Sequence, residues 1–327
     1  MIKYPALAAL LILACSRPAI ETRATDSVTV SQVPPPLPSG EGRLVVPGGT
    51  IWYRVSGSGS AMPVVLLHGG PGYSSYYLKS LEALHNERPV IIYDQLGAGK
   101  SDHVTDTTLF TIPHFVAELD SLRAHLGYAR WHVLGHSWGT ILGLEYYRAH
   151  PDRVASLTLA SAALDIPTWG KNVKRMIATL SDSAQHAIKA READGNFAAP
   201  DYQAANGEFM MKYVVRTPPG PDLDSTLSTY NEVLYGYMQG PSEFTITGTL
   251  KTYNSTGFLK EVRVPLLFTV GEFDEAYPPT IRKQAALAPG AKVAVIPGAA
   301  HLTTWDNPTE HNRVVREFLR AADSLPK

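Results

Sequence analysis

Hydrophobic and polar positions divide the chain into stretches of different texture. Ala6 to Ala14 are all apolar, behind a single positive charge at Lys3. Residues 16–42 turn polar and carry Pro34-Pro35-Pro36 and Pro38. From Arg43 onward short apolar runs alternate with amphipathic stretches. Leu44-Val45-Val46 and Ile51-Trp52-Tyr53-Arg54-Val55 flank Pro47-Gly48-Gly49, which predicts a hairpin. The runs that follow are Val64–Leu67, Val90–Tyr93, Trp131–Leu134, Leu157–Leu159, Leu266–Val270 and Val293–Ile296. Continuous apolar runs are how parallel strands read when both their faces are buried.

Between the runs, residues 112–127 place Phe115, Leu119, Leu122 and Leu126 at helical spacing, and residues 139–149 and 309–321 are similar. Strand alternating with helix predicts an α/β protein with a mostly parallel, doubly wound sheet. Residues 165–260 break the alternation, lacking strong strand runs and containing Pro218-Pro219-Gly220-Pro221. They read as a helical insertion, a cap over a core formed by residues 43–164 and 261–327.

A length of 327 residues suits one large domain with an insertion. The formal net charge of −1 leaves no basic surplus for a phosphate backbone, which argues against a nucleic-acid partner. Residues 1–15 read as a secretory signal, too short to span a bilayer comfortably. The run ends at Cys15, the single cysteine of the chain, so no internal disulfide is available. Ile12-Leu13-Ala14-Cys15 resembles a bacterial lipobox, whose cysteine is lipidated and becomes the mature N-terminus. Ser16 after it implies outer-membrane sorting in that pattern. The expectation is an exported protein held at a membrane by a lipid on Cys15, with residues 16–42 as a proline-stiffened tether.

Gly135-His136-Ser137-Trp138-Gly139 matches G-x-S-x-G between an apolar strand and an apolar helix, the setting of a nucleophile elbow. This adds Ser137 as a candidate nucleophile and specifies the α/β-hydrolase fold. A serine hydroxyl needs a base, and the fold's chain order is serine, acid, histidine. Asp274 follows the Leu266–Val270 run and His301 follows Val293–Ile296, both in that order. His301 would take the Ser137 proton, and Asp274 would fix the imidazole tautomer. Glu272 and Asp165 are rival acids. Candidate oxyanion donors are the Trp138 amide and that of Gly69 or Gly70, in His68-Gly69-Gly70-Pro71-Gly72. His68 itself reads as structural. Gly97-Ala98-Gly99-Lys100-Ser101 imitates the end of a phosphate loop, but Asp94 stands where its first glycine is required. No cofactor and no metal site are expected.

These motifs together resemble the proline iminopeptidase (prolyl aminopeptidase) family of α/β-hydrolases. Asp94–Ser101, Gly240-Pro241-Ser242-Glu243-Phe244-Thr245-Ile246-Thr247-Gly248, Gly271–Glu275 and His301–Trp305 extend the likeness from about residue 43 to the C-terminus. The resemblance implies removal of an N-terminal residue, often proline, from a peptide or amide. It further implies cap carboxylates that bind the free α-amine, best matched by Glu243, with Glu208 and Glu232 as further candidates. Phe244 and Trp138 are candidates for lining the acyl-residue pocket. The competing expectation is an esterase or amidase of the same fold acting on a small molecule.

Overall fold

The computed structural model describes residues 39–325, besides Met1. The signal, Cys15 and most of the tether lie outside the described residues. The hairpin is formed by β1 (Gly40–Val46) and β2 (Gly49–Ser56), paired antiparallel. β1 thus begins inside the segment assigned to the tether. Its first half is exposed and polar, so backbone pairing forms it rather than an apolar face.

The apolar runs become β3 (Val64–Leu67), β4 (Val90–Asp94), β5 (Trp131–His136), β6 (Val154–Ala160), β7 (Leu266–Gly271) and β8 (Lys292–Ile296). All eight strands lie in one sheet of order β1-β2-β4-β3-β5-β6-β7-β8. β2 meets β4 antiparallel, and every pairing from β4 to β8 is parallel.

Alternation along each strand sorts side chains between two cores. Val65, Leu67, Ile91, Tyr93, Val133, Leu157 and Phe268 pack under helices α1 (Ile112–His125) and α2 (Trp138–Ala149). Val64, Leu66, Val90, Ile92, Leu134 and Leu267 face Leu78, Leu81 and Leu84 of the turns Ser75–Leu84, together with Val315, Phe318 and Leu319 near the C-terminus. Adjacent residues facing opposite layers is the period-2 geometry of a strand buried on both sides.

Between β6 and β7 the chain forms α3 (Ile166–Ile177), α4 (Asp182–Asp194), α5 (Pro200–Phe209), α6 (Pro221–Ser228) and α7 (Glu232–Met238). Asp165 caps α3 by accepting the Thr168 amide at 3.0 Å. Asn231 fastens this insertion to the core: its side chain donates to the Gly97 carbonyl at 2.8 Å and its amide to the Gly72 carbonyl at 3.1 Å. After β7 come α8 (Pro278–Ala285), α9 (Thr303–Asp306) and α10 (Pro308–Asp323). Among the described residues, no helix is long and apolar enough to cross a membrane.

Candidate active site

Ser137 stands between β5 and α2 with φ 54° and ψ −120°, a conformation that costs a non-glycine residue of the order of 1–3 kcal/mol. The flanking glycines are what permit it. A Cβ on Gly135 would lie 2.0 Å from the Gly139 carbonyl oxygen, and one on Gly139 would lie 2.2 Å from the Leu67 carbonyl oxygen. The turn lifts Ser137 to a cavity wall, 9% exposed, where it shares the lining with His301. No hydrogen bond joins the two side chains among the described residues. Such bonds are often long in free enzymes and tighten on binding.

Asp274 Oδ1 lies 2.8 Å from His301 Nδ1. The same carboxylate accepts the Ala276 and Gly271 amides at 2.8 and 3.1 Å and the Ser161 hydroxyl at 2.6 Å. Burial pushes the Asp274 carboxyl up, but the His301 ring and these donors outweigh it, so it stays below the ordinary carboxylate range. The rival acids are engaged elsewhere: Glu272 accepts the exposed Gly298 amide at 2.9 Å, and Asp165 caps α3.

The insertion grips this loop pair directly. After α5 the chain makes a π-type turn, Met210–Val214, of a kind frequent at functional sites. Its Tyr213 carbonyl accepts the amides of both Glu275 and His301, at 3.3 and 3.2 Å. Val214 accepts the Leu302 amide at 2.8 Å.

The structure distinguishes the two oxyanion glycines. The Gly69 amide donates to the Tyr77 hydroxyl at 2.7 Å and is therefore occupied. The Gly70 and Trp138 amides have no hydrogen-bond partner among the described residues, and both residues adjoin Ser137 in one cavity lining. Gly70 has φ +112°, a conformation that L side chains rarely adopt. His68 is structural: its Nε2 accepts the Gln95 amide at 2.9 Å. Gln95 in turn accepts the Trp138 indole N–H at 2.8 Å. In the loop that imitates a phosphate site, Asp94 Oδ2 accepts the Lys100 amide at 2.8 Å, so a carboxylate fills the place of an anion.

The three cap glutamates separate. Glu243 lines both cavities beside Ser137. Burial raises its carboxyl above the ordinary range, against the nearby His301 ring and Tyr235 hydroxyl. Glu232 is exposed and lines an outer cavity whose wall it shares with Glu243, Tyr73, Tyr230 and Tyr235. Glu208 is directed away, accepting the Ser181 hydroxyl and amide at 2.6 and 2.7 Å. Phe244 packs against Tyr202 and Phe209 and lines neither Ser137 cavity, whereas Trp138 lines the smaller one.

Sequence reasoning passed over Glu275, beside Asp274. It is 0% exposed, and neither carboxylate oxygen has a hydrogen-bond partner among the described residues. Oε1 lies 3.9 Å from His301 Nε2. Burial, reinforced by the charges of Glu243 and Asp274, raises its carboxyl far above the ordinary range. A buried carboxyl raised further by the charge of a second one is a place where a cation would be favoured. Trp169 was also missed; its ring meets His301 edge-on at 5.5 Å. Among the described residues no cluster of His, Cys, Asp or Glu could hold a metal ion.

Residues 62–308 match the family described as alpha/beta hydrolase fold. The chain is 40% identical over 284 residues to a proline iminopeptidase of Heyndrickxia coagulans, spanning 86% of this chain and 99% of that protein. It is 33% identical to a proline iminopeptidase of Saccharolobus solfataricus, spanning 84% and 89% of the two. Among solved structures, the proline iminopeptidase of Mycobacterium smegmatis aligns with a TM-score of 0.80 and 32% identity over 87% of this chain and 99% of that one. Fold, site geometry and relatives agree, and the chain belongs to the proline iminopeptidase family of α/β-hydrolases.

Proposed function

We propose that this protein is a serine peptidase releasing an N-terminal residue, foremost proline, from peptides. The observation that carries the reading is the pair Glu243 and Glu275. Glu243 shares a cavity lining with Ser137 and His301. Glu275 is wholly buried near His301, with neither carboxylate oxygen hydrogen-bonded among the described residues. Both stand beside a serine, a histidine and a buried aspartate in the order the fold requires. A free N-terminal ammonium supplies the missing charge, and a blocked N-terminus does not.

Ser137 Oγ attacks the first peptide carbonyl while His301 Nε2 takes its proton. The Gly70 and Trp138 amides receive the negative oxygen; one such donor contributes roughly 10²–10³ in rate. His301 then hands the proton to the leaving nitrogen, the C–N bond breaks and an acyl ester on Ser137 remains. Water, deprotonated by His301, cleaves the ester and releases the free amino acid. Asp274 holds Nδ1 protonated throughout.

A three-substrate panel tests the reading: proline anilide, N-acetylproline anilide and a short-chain ester. Turnover of the free amide alone is expected. Equal turnover of blocked and free amides would sink it, and preference for the ester would move the protein to the esterase or amidase reading. A fluorophosphonate should label the protein and leave Ser137→Ala unlabelled.

The N-terminal segment supports export with a lipid anchor, through Lys3, the apolar run and Cys15. Mass spectrometry of the mature N-terminus tests this. A diacylglyceryl group on Cys15 is expected, and cleavage elsewhere with an unmodified Cys15 would refute it.

A further inference from the structure

Two cavities meet at Gly70, Ser137 and Glu243, and they differ in what else lines them. One, of about 50 Å³, includes His301 and Leu302. The other, of about 10 Å³, includes Trp138, Ile141, Ile166 and Trp169 and lacks His301. That difference assigns them. In amide cleavage the histidine must reach the leaving nitrogen to protonate it. The leaving residue therefore lies on the His301 side and the acyl residue on the Trp138 side. Glu243 lines both, as a group holding the amine at their junction would.

We propose that the His301-side cavity is the subsite for the residue after the scissile bond, and that it selects a bulky apolar side chain there. This rests on the aminopeptidase reading above. Away from Ser137, Glu243 and the tyrosines Tyr73 and Tyr77, its wall carries Met210, Val214, Leu223, Leu227 and Leu302, with Thr226 between. Leu223 and Leu227 sit one turn apart on α6, which Lys79 ties to the core through Asp222. Leu227 is 46% exposed, an apolar surface that an incoming side chain would cover. Among the described residues no lysine or arginine lines the cavity, so nothing there pairs with an anionic side chain or the terminal carboxylate of a dipeptide. The preferred substrates are thus peptides or amides with proline first and leucine, methionine or phenylalanine second, with no need for a carboxylate directly after it.

The test measures kcat/KM of the full-length protein on Pro-Leu-amide, Pro-Gly-amide, Pro-Lys-amide, Pro-Asp-amide and the free dipeptide Pro-Leu. The leucine amide should exceed the glycine amide by about tenfold or more, the range of a few methylenes in an apolar pocket. The aspartate amide should be the poorest, repelled by Glu243 and Glu275 as well. Leu227→Ser, on an exposed face where folding is not at stake, should lower the Leu-to-Gly ratio by about threefold or more. Equal kcat/KM across second residues, or a ratio that Leu227→Ser leaves unmoved, overturns the subsite while leaving the aminopeptidase reading intact. Failure on every proline amide, with a short-chain ester still hydrolysed, overturns both.

Discussion

The Tyr77 hydroxyl lies 2.7 Å from His136 Nδ1, and this contact sets proton positions from the oxyanion loop to the catalytic base. His136 Nε2 lies 2.9 Å from the His301 carbonyl, which can only accept. Nε2 therefore carries the proton and Nδ1 accepts from Tyr77. Burial keeps the ring neutral, lowering His136 to about 3. Tyr77 is then free to receive the Gly69 amide, as it does. The variable position of the G-x-S-x-G motif thereby holds the backbone of His301.

Tyr77→Phe breaks this chain and orphans two buried groups, the Gly69 N–H and His136 Nδ1. Each orphaned buried group costs about 1–3 kcal/mol, so a loss of about 2–6 kcal/mol is expected in urea unfolding. The kcat should fall by about tenfold, since the loop bearing Gly70 and the backbone of His301 both loosen. If the chain acts as one unit, adding His136→Phe to Tyr77→Phe costs less than the sum of the two. Strict additivity in a double-mutant cycle would show the two bonds to be independent.

Glu243 and Glu275 make binding pH-linked. Both carboxyls are held above the ordinary range, so the free pair retains a proton where isolated glutamates would not. An ammonium favours the ionised form. Binding of proline amide to Ser137→Ala should therefore release a proton near neutral pH, seen by calorimetry in buffers of different ionisation enthalpy. Glu275→Gln should diminish that release and lower kcat/KM on free-amine substrates by about a hundredfold, the loss of a charge-assisted contact. Its stability should match or exceed the parent's at pH 8. A raised carboxyl stabilises the fold fully below the unfolded value and loses that contribution as pH rises.

The legible part of this protein is local. The strands announce themselves as apolar runs, and Ser137, Asp274 and His301 follow three of them. Gly135 and Gly139 stand where any side chain would collide with backbone. What stayed hidden depends on contacts between distant segments. Glu275 has meaning only because the Tyr213 carbonyl draws its backbone, and that of His301, against the insertion. Gly70 is singled out over Gly69 by a tyrosine hydroxyl from another element. Glu208 stood as a further candidate behind Glu243 because nothing in helical spacing tells which face meets Ser181. The start of β1 at Gly40 left no hydrophobic trace, since backbone pairing with Val55 forms it.

Ser161 supports the acid from beneath. Its backbone has φ 52°, its amide donates to the Thr269 carbonyl at 2.7 Å, and its hydroxyl donates to Asp274 Oδ2 at 2.6 Å. Ser161→Ala keeps the strained backbone and loses the donor. A kcat about tenfold lower is expected, with about 1–3 kcal/mol less stability. Ser161→Gly also loses the donor but relieves the left-handed strain, worth about 1–2 kcal/mol. The glycine variant should thus melt above the alanine variant without recovering kcat. Recovery of kcat in the glycine variant would show that strain, and not the hydroxyl, is what Asp274 depends on.

Glu118 lies on α1, 1% exposed, beneath the loop that carries Gln95 and through it the Trp138 indole. Its Oε2 accepts the Leu96 amide at 3.1 Å and its Oε1 has no partner among the described residues. Burial raises this carboxyl to about 8, with the Leu96 amide pulling the other way. For an acid so raised, the folded state holds a proton that the unfolded chain has already lost. Its contribution to stability is complete below the unfolded value of 4.5 and disappears as pH rises toward 8. Glu118→Gln removes that dependence while keeping the shape. The difference in unfolding free energy between variant and parent should therefore move in the variant's favour from pH 5 to pH 8, by of the order of a few kcal/mol. A difference that stays flat across this range in urea titrations would mean that Glu118 ionises in the folded protein much as it does in water.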